Sequence, residues 1–327
     1  MKKILITGGA GFIGSNLTEA LLEREDVELV RVIDNFATGY RHNVEEFLKH
    51  PKYEFVEGDI RNYEDVYKAC EGIDVISHQA ALGSVPRSLK DPMTSNNTNV
   101  LGSMNVFYAA KELGVDRVIY ASSSSVYGDD PGSPKEEDRL GNVLSPYAAS
   151  KRSIELYAKA FSNVYPFRFI AMRYFNVFGP RQNAQGAYAA VIPQFITALM
   201  EGRQATIFGD GEQTRDFTYI ANVLQINILA MSTQNKDAFN RYYNVACGET
   251  TSLNRVYEIL ASCAGSDLKA LHTDPRAGDI KDSLANIELV SKHIGYIPSI
   301  KIEEGLKKTY NWFKAASDKE ISLKMTK

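Results

Sequence analysis

Short runs of apolar and β-branched residues recur through the first half of the chain, at Lys3–Thr7, Leu29–Ile33, Tyr53–Glu57, Asp74–His78, Arg117–Ser122 and Arg168–Arg173. Stretches of helical periodicity lie between them. Strands that are apolar throughout, rather than at every second residue, belong to parallel sheets covered by helices on both faces. The alternation therefore predicts an α/β, doubly wound parallel sheet of the Rossmann type. Two helices are well delimited: Asn97 to Leu113, closed by Gly114, and Pro146 to Asn163, with Ser145 placed as N-cap and Pro146 in the first turn. After about Gly179 the alternation loosens, and Phe208-Gly209-Asp210-Gly211 and Pro275-Arg276-Ala277-Gly278-Asp279 read as turns. Residues 1–178 are expected to form the dinucleotide-binding domain, and 179–327 mainly a smaller mixed C-terminal lobe. That boundary is soft, because later segments can return to the sheet.

A length of 327 residues accommodates two lobes or one large α/β unit with an appendage. Hydrophobic residues make up 44% and charged residues 24%, which argues against disorder and fibrous repeats. With 37 Lys+Arg against 40 Asp+Glu the net charge is −3, so no single-sign field exists to draw nucleic acid or anionic lipid. Lys2 and Lys3 precede an apolar run too short for a signal peptide, and no run approaches the ~20 residues of a membrane span. Cys70, Cys247 and Cys263 show no paired spacing, which points to a reducing cytoplasm. His42, His50, His78, His272 and His293 show no metal-ligand spacing, and no metal is expected. Only Ala315 to Lys327 reads as a frayed, charged end.

Directly after the first strand comes Gly8-Gly9-Ala10-Gly11-Phe12-Ile13-Gly14, leading into a helical pattern. Glycines at this spacing let backbone approach a pyrophosphate, and the helix N-terminus presents free N–H groups to it. A plain strand-to-helix turn is the competing reading. Context favours the nucleotide, because the second strand ends at Asp34, where a carboxylate can hold both hydroxyls of an adenosine ribose and repel a 2′-phosphate. NAD is expected over NADP. Asp59, closing the third strand, is a candidate acceptor for the adenine amino group or an ordinary turn acid.

Tyr147 and Lys151 stand four residues apart on a predicted helix and share one face. A cation beside a phenol favours phenolate, so the spacing predicts a tyrosine with a lowered pKa, able to act as general base on a sugar hydroxyl. Ser122 to Ser125 lie 22 to 25 residues upstream, at the C-terminal end of a predicted parallel strand, where doubly wound sheets bind ligands.

Glycine loop, strand-end serines and the Tyr-Lys pair together resemble the extended short-chain dehydrogenase/reductase family over approximately residues 2 to 314. Gly83-Ser84-Val85-Pro86-Arg87-Ser88, Tyr174-Phe175-Asn176-Val177-Phe178-Gly179, Gly186-Ala187-Tyr188-Ala189-Ala190-Val191-Ile192-Pro193 and Gly278-Asp279-Ile280-Lys281-Asp282-Ser283 are similar to its UDP-N-acetylglucosamine 4-epimerases of bacterial surface-polysaccharide pathways. The resemblance implies Ser123, Tyr147 and Lys151 as catalytic residues and a transient 4-keto sugar that swings about its diphosphate tether. It places Gly8, Gly11, Phe12, Ile13 and Gly14 around the cofactor. Asp34, Asn35, Thr38 and Gly39 follow on the second strand, and Asp59 and Ile60 on the third. Further along, Gln79, Ala80, Ala81, Asn99, Ser122, Tyr147, Lys151 and Tyr174 complete that side. The substrate is implied to meet Gly83, Ser84, Ser123, Ser124, Tyr147, Asn176 and Gln182, with Arg215 and Arg276 on the diphosphate and Asp279 on the uridine ribose. Phe208 and the backbone of Ala190 and Val191 would flank the uracil, and Ala189, Thr206, Gln213, Val245 and Ser283 complete the set.

Ser124 and Ser125 stand where 4,6-dehydratases carry an Asp-Glu acid/base pair, and neither hydroxyl can protonate a leaving group at neutral pH. UDP-glucuronate decarboxylases carry a glutamate at the position of Ser125 and are likewise disfavoured. Relatives restricted to glucose and galactose have tyrosine in place of Ser283, so serine implies room for an acetamido group. Uronate 4-epimerases remain the rival enzymes, a dinucleotide-sensing protein the non-enzyme alternative, and a net dehydrogenase a third. The resemblance also implies a homodimer through Asn97–Leu113 and Pro146–Asn163.

Overall fold

The computed structural model describes residues 2–115, 117–184, 189–275 and 281–325. Its centre is a seven-stranded sheet in which every neighbouring pair is parallel. Six strands come from the first half: β1 (Lys3–Thr7), β2 (Leu29–Asp34), β3 (Tyr53–Glu57), β4 (Val75–His78), β5 (Arg117–Ser123) and β6 (Arg168–Tyr174). The order is β3-β2-β1-β4-β5-β6, and the strand Arg241–Val245 joins outside β6. Winding reverses between β1 and β4, whose ends meet at the pair Thr7 and His78. A crevice opens at such a reversal, beyond the carboxyl ends of the strands.

Because strand side chains alternate between faces, each strand feeds two cores. On β5, Ile119 and Ala121 pack into one with Leu17 and Leu21 of the helix Phe12–Leu22 and Val223 and Ile226 of the helix Ile220–Ser232. Val118 and Tyr120 enter the other, with Val66, Val106, Phe107 and Ile154. The helices Tyr63–Cys70, Gly102–Glu112 and Pro146–Val164 supply that second layer.

The helix read from Asn97 is longer than its pattern indicated. It begins at Pro92 behind an Asp91 cap, which accepts from the Thr94 N–H at 3.0 Å, and residues 97–101 form one π-helical turn before Gly102–Glu112. The Ser145 cap holds, accepting from the Ala148 N–H at 3.1 Å. Beyond residue 178 the chain builds a three-stranded sheet from Thr251–Ser252, Thr214–Arg215 and Asp282–Ser283, and a parallel pair from Thr206–Phe208 and Leu271–Thr273. It also returns twice to the large sheet, as the edge strand and as the covering helix Ile220–Ser232. No described helix is long and apolar enough to cross a membrane.

Candidate active site

Gly8 leaves β1 at φ +74° and lies so close to β4's continuation that a Cβ would stand 2.7 Å from the Ala80 Cα. At Gly14 a Cβ would lie 2.2 Å from the Gly8 carbonyl oxygen, so the helix Phe12–Leu22 can sit against the loop only because that position is bare. Its first turn has no side-chain cap, which leaves N–H groups facing the crevice. Asp34 stands beside this turn, accepting from the Ala10 N–H at 2.9 Å and the Phe36 N–H at 2.8 Å, while burial pushes its carboxyl up from the usual range. Asp59 is held down to about 2 by its bond to the Arg61 guanidinium at 2.6 Å, and it also accepts from the Asn35 amide at 2.8 Å.

A cavity of about 540 Å³ runs along these strand ends from Asp34 and Asp59 to Lys151, Tyr147 and Ser123. Gly8, Gly11, Phe12, Ile13, Gly14, Asn35, Thr38, Ile60, Gln79, Ala80, Ala81, Ser122 and Tyr174 line it. Gly83, Ser84 and Gln182, expected on the substrate, line the same cavity as the residues expected on the cofactor. Gly39 and Asn99 stay outside the lining. Gly39 packs against Ala10, and the Asn99 side chain clamps Leu82 from both sides, accepting from its N–H at 2.8 Å and donating to its carbonyl at 3.2 Å.

At the inner end the Lys151 ammonium is buried and donates to the Ala121 carbonyl at 2.8 Å, 6.0 Å from the centre of the Tyr147 ring. Burial pushes it down to about 8 against the pull of Glu155. The Ser123 side chain shares this wall with the Tyr147 phenol and favours its ionised form. The Ser123 oxygen in turn accepts the Ser125 hydroxyl at 3.0 Å and the Ser125 N–H at 3.2 Å. With its lone pairs so occupied, the Ser123 proton is free to point at the phenol. Ser122 turns its hydroxyl the other way, donating to Glu155 at 2.6 Å.

A second cavity of about 180 Å³ in the smaller lobe is lined by Asn176, Ala189, Val191, Thr206, Phe208, Gln213 and Arg215. Ala190 is the N-cap of the helix Val191–Met200. Val245 is wholly buried, its carbonyl accepting from the Phe175 N–H at 3.1 Å. Ser283 pairs with Arg215 in the small sheet and lines neither cavity. Ser124 opens the short 3₁₀ turn after β5. Arg276 and Asp279 lie outside the described residues.

Residues 4–246 match the family model described as NAD dependent epimerase/dehydratase family. The chain belongs to that family. Among solved structures similar to it, a UDP-N-acetylglucosamine 4-epimerase from Methanobrevibacter ruminantium M1, in complex with UDP-N-acetylmuramic acid, is 40% identical, with a TM-score of 0.90 over 97% of this chain and 100% of that one. A Thermus thermophilus UDP-glucose 4-epimerase in complex with NAD is 34% identical, with a TM-score of 0.86 over 96% and 99%. A curated relative, the UDP-glucose 4-epimerase of Mycolicibacterium smegmatis, is 34% identical over 317 residues, 96% of this chain and 99% of its own.

NAD is the cofactor of this epimerase/dehydratase, and the chamber fits it. The glycine cradle has no room for added atoms on the protein side, and the Asp34 carboxylate closes the β2 end. Gln182 donates to the Val177 carbonyl at 3.0 Å, which leaves its buried Oε1 without a hydrogen-bond partner among the described residues. Such an orphan acceptor marks a place where a ligand donor belongs.

One expectation is overturned. The phenol of Tyr147 is raised above its ordinary value, not lowered, because burial outweighs the favourable contribution of Ser123. Sequence reasoning also passed over Thr94 and Thr98, one helical turn apart on the wall of the chamber, and Arg61 and Leu82. The i, i+4 spacing of the two threonines was a usable signal, but no motif pointed to it.

Proposed function

We propose that this epimerase/dehydratase is a UDP-sugar 4-epimerase that interconverts UDP-N-acetylglucosamine and UDP-N-acetylgalactosamine for surface polysaccharide synthesis in the cytoplasm. The observation that carries the reading is the gathering of Ser123, Tyr147 and Lys151 on the wall of the same chamber that bears the glycine cradle. It provides for proton transfer at a sugar hydroxyl and places no carboxylate where an elimination of water would need one. Tyr147 takes the proton from the C4 hydroxyl and returns it, Ser123 steadies the phenolate by donating to it, and Lys151 lends positive charge beneath both. Bound NAD supplies the hydride acceptor and donor. Arg215, in the second cavity, holds the diphosphate with a fork that suits phosphate oxygens, Arg276 is proposed beside it, and Asp279 takes the uridine ribose. Gln213 donates to the Phe208 carbonyl at 2.7 Å and keeps a buried Oε1 with no hydrogen-bond partner among the described residues at that cavity, consistent with a polar base edge bound there. Residues 1–178 would then hold NAD and residues 179–327 mainly the UDP-sugar, in a homodimer.

Incubating the purified protein with UDP-N-acetylglucosamine tests the reading. UDP-N-acetylgalactosamine is expected without net absorbance change from reduced cofactor. Accumulation of reduced NAD in solution, or no product at all, overturns it. Replacing Ser283 by Tyr beside Arg215 is expected to suppress turnover of the acetylated pair while sparing UDP-glucose; equal losses on both sugars would remove the argument from residue size.

A further inference from the structure

Asp216 lies between two residues that line the second cavity, Arg215 and Phe217, yet its own carboxylate points away into the protein and is completely buried. Among the described residues its hydrogen-bond partners are backbone amides. Oδ1 accepts from the Cys247 N–H at 2.8 Å, and Oδ2 accepts from the Gly248 N–H at 3.0 Å and the Ala285 N–H at 3.4 Å. The main chain of the same residue is equally occupied: its N–H donates to the Ser283 carbonyl at 2.8 Å, and its carbonyl accepts from the Asn176 side chain at 3.0 Å. One residue thus gathers the turn after the edge strand Arg241–Val245, the strand Asp282–Ser283, the segment after β6 and the strand Thr214–Arg215.

Burying an anion without a cation is costly, and three N–H donors offset that cost only while all three stay aimed. Burial pushes the carboxyl up to about 7, with Glu249 adding in the same direction, and the Cys247, Ala285 and Gly248 amides pull the other way. A carboxylate has four acceptor sites on two oxygens, whereas an asparagine would turn an N–H₂ toward one of the donors.

We propose that Asp216 is a positioning residue for the uridine-diphosphate end of the active site: by pinning Cys247, Gly248 and Ala285 it sets Arg215, Asn176 and Ser283 in the mutual register that the nucleotide meets. This rests on the UDP-sugar reading. It predicts a loss confined to one end of the site, because the glycine cradle follows β1 and Asp34 ends β2, away from these contacts.

Calorimetric titration with UDP and with NAD, on wild type, Asp216→Asn and Gly248→Ala, separates the outcomes. The Asn variant is expected to bind UDP about tenfold more weakly or worse, the scale of one lost hydrogen bond to a charged group. Its KM for UDP-sugar should rise in step, while NAD affinity and kcat at saturation stay within about threefold. Gly248 sits at φ +69°, so alanine there strains the same turn and leaves the carboxylate in place; a smaller loss of UDP affinity in the same direction is expected. Unchanged UDP affinity in the folded Asn variant, or parallel loss of UDP and NAD, overturns the inference. If the Asn variant does not fold, unchanged UDP affinity in the Ala variant overturns it. Failure of the wild type to bind UDP strikes down the functional reading instead, and the inference with it.

Discussion

At the scale of single residues, the proposed reaction depends on how a phenol in a buried wall gives up a proton. Burial works against Tyr147, the Ser123 hydroxyl works for it, and Ser123 can do so because Ser125 occupies its lone pairs. Replacing Tyr147 by Phe is expected to lower kcat by about 10²- to 10⁴-fold, the usual worth of a positioned acid/base, with UDP binding retained. An undiminished rate of epimerisation would refute that role. Lys151 bears on pH. With its ammonium pushed down to about 8, a rise in pH through that value removes the positive charge under the phenol, so the rate is expected to decline on the alkaline side of about 8. A pH profile flat from 7 to 10 would show that the charge is not used. Spacing of Tyr147 and Lys151 was legible in the sequence; the direction of the phenol shift was not, because an interval of four residues says nothing of burial.

At the scale of elements, the strand and helix carrying these groups are fastened by a buried ion pair. Glu155, one turn beyond Lys151, receives two bonds from Arg173 of β6 at 2.9 and 2.8 Å, and both side chains are almost wholly buried. Arg173 continues to the Tyr127 hydroxyl at 3.1 Å, which donates to Asn244 of the edge strand at 2.5 Å. Glu155→Gln leaves the guanidinium uncompensated and is expected to destabilise the protein by about 3–5 kcal/mol, read from urea unfolding. A midpoint unchanged from wild type would show that the pair is dispensable. Six strands were readable in advance to within a residue or so, most of them from apolar runs buried on both faces, although β3 at the sheet edge carries exposed Glu54 and Glu57. The π turn at residues 97–101 was not, because one extra residue in a helical turn leaves no period to detect. Thr214–Arg215, Thr251–Ser252 and Asp282–Ser283 are two-residue strands, too short for any alternation; tertiary pairing alone creates them.

At the scale of the whole molecule, the helices Gly102–Glu112 and Pro146–Val164 bury one side on the sheet and leave Tyr108, Leu156 and Tyr157 exposed on the other, with Leu101 exposed in the turn before them. In the homodimer proposed here these residues are covered by a second copy. Leu156→Asp is expected to yield a monomer in sedimentation equilibrium, and an unaltered dimer would move the contact elsewhere.

The soft boundary near residue 178 has a material meaning. Arg241–Val245 is laid alongside β6 over five paired positions, from Arg241 opposite Ile170 to Val245 opposite Tyr174. A chain cut after Phe178 would therefore expose a naked row of amides and carbonyls along β6, the kind of border that recruits stray strands. Residues 1–178 are not a module that can be lent to another protein; the last rail of their sheet is supplied by Arg241–Val245.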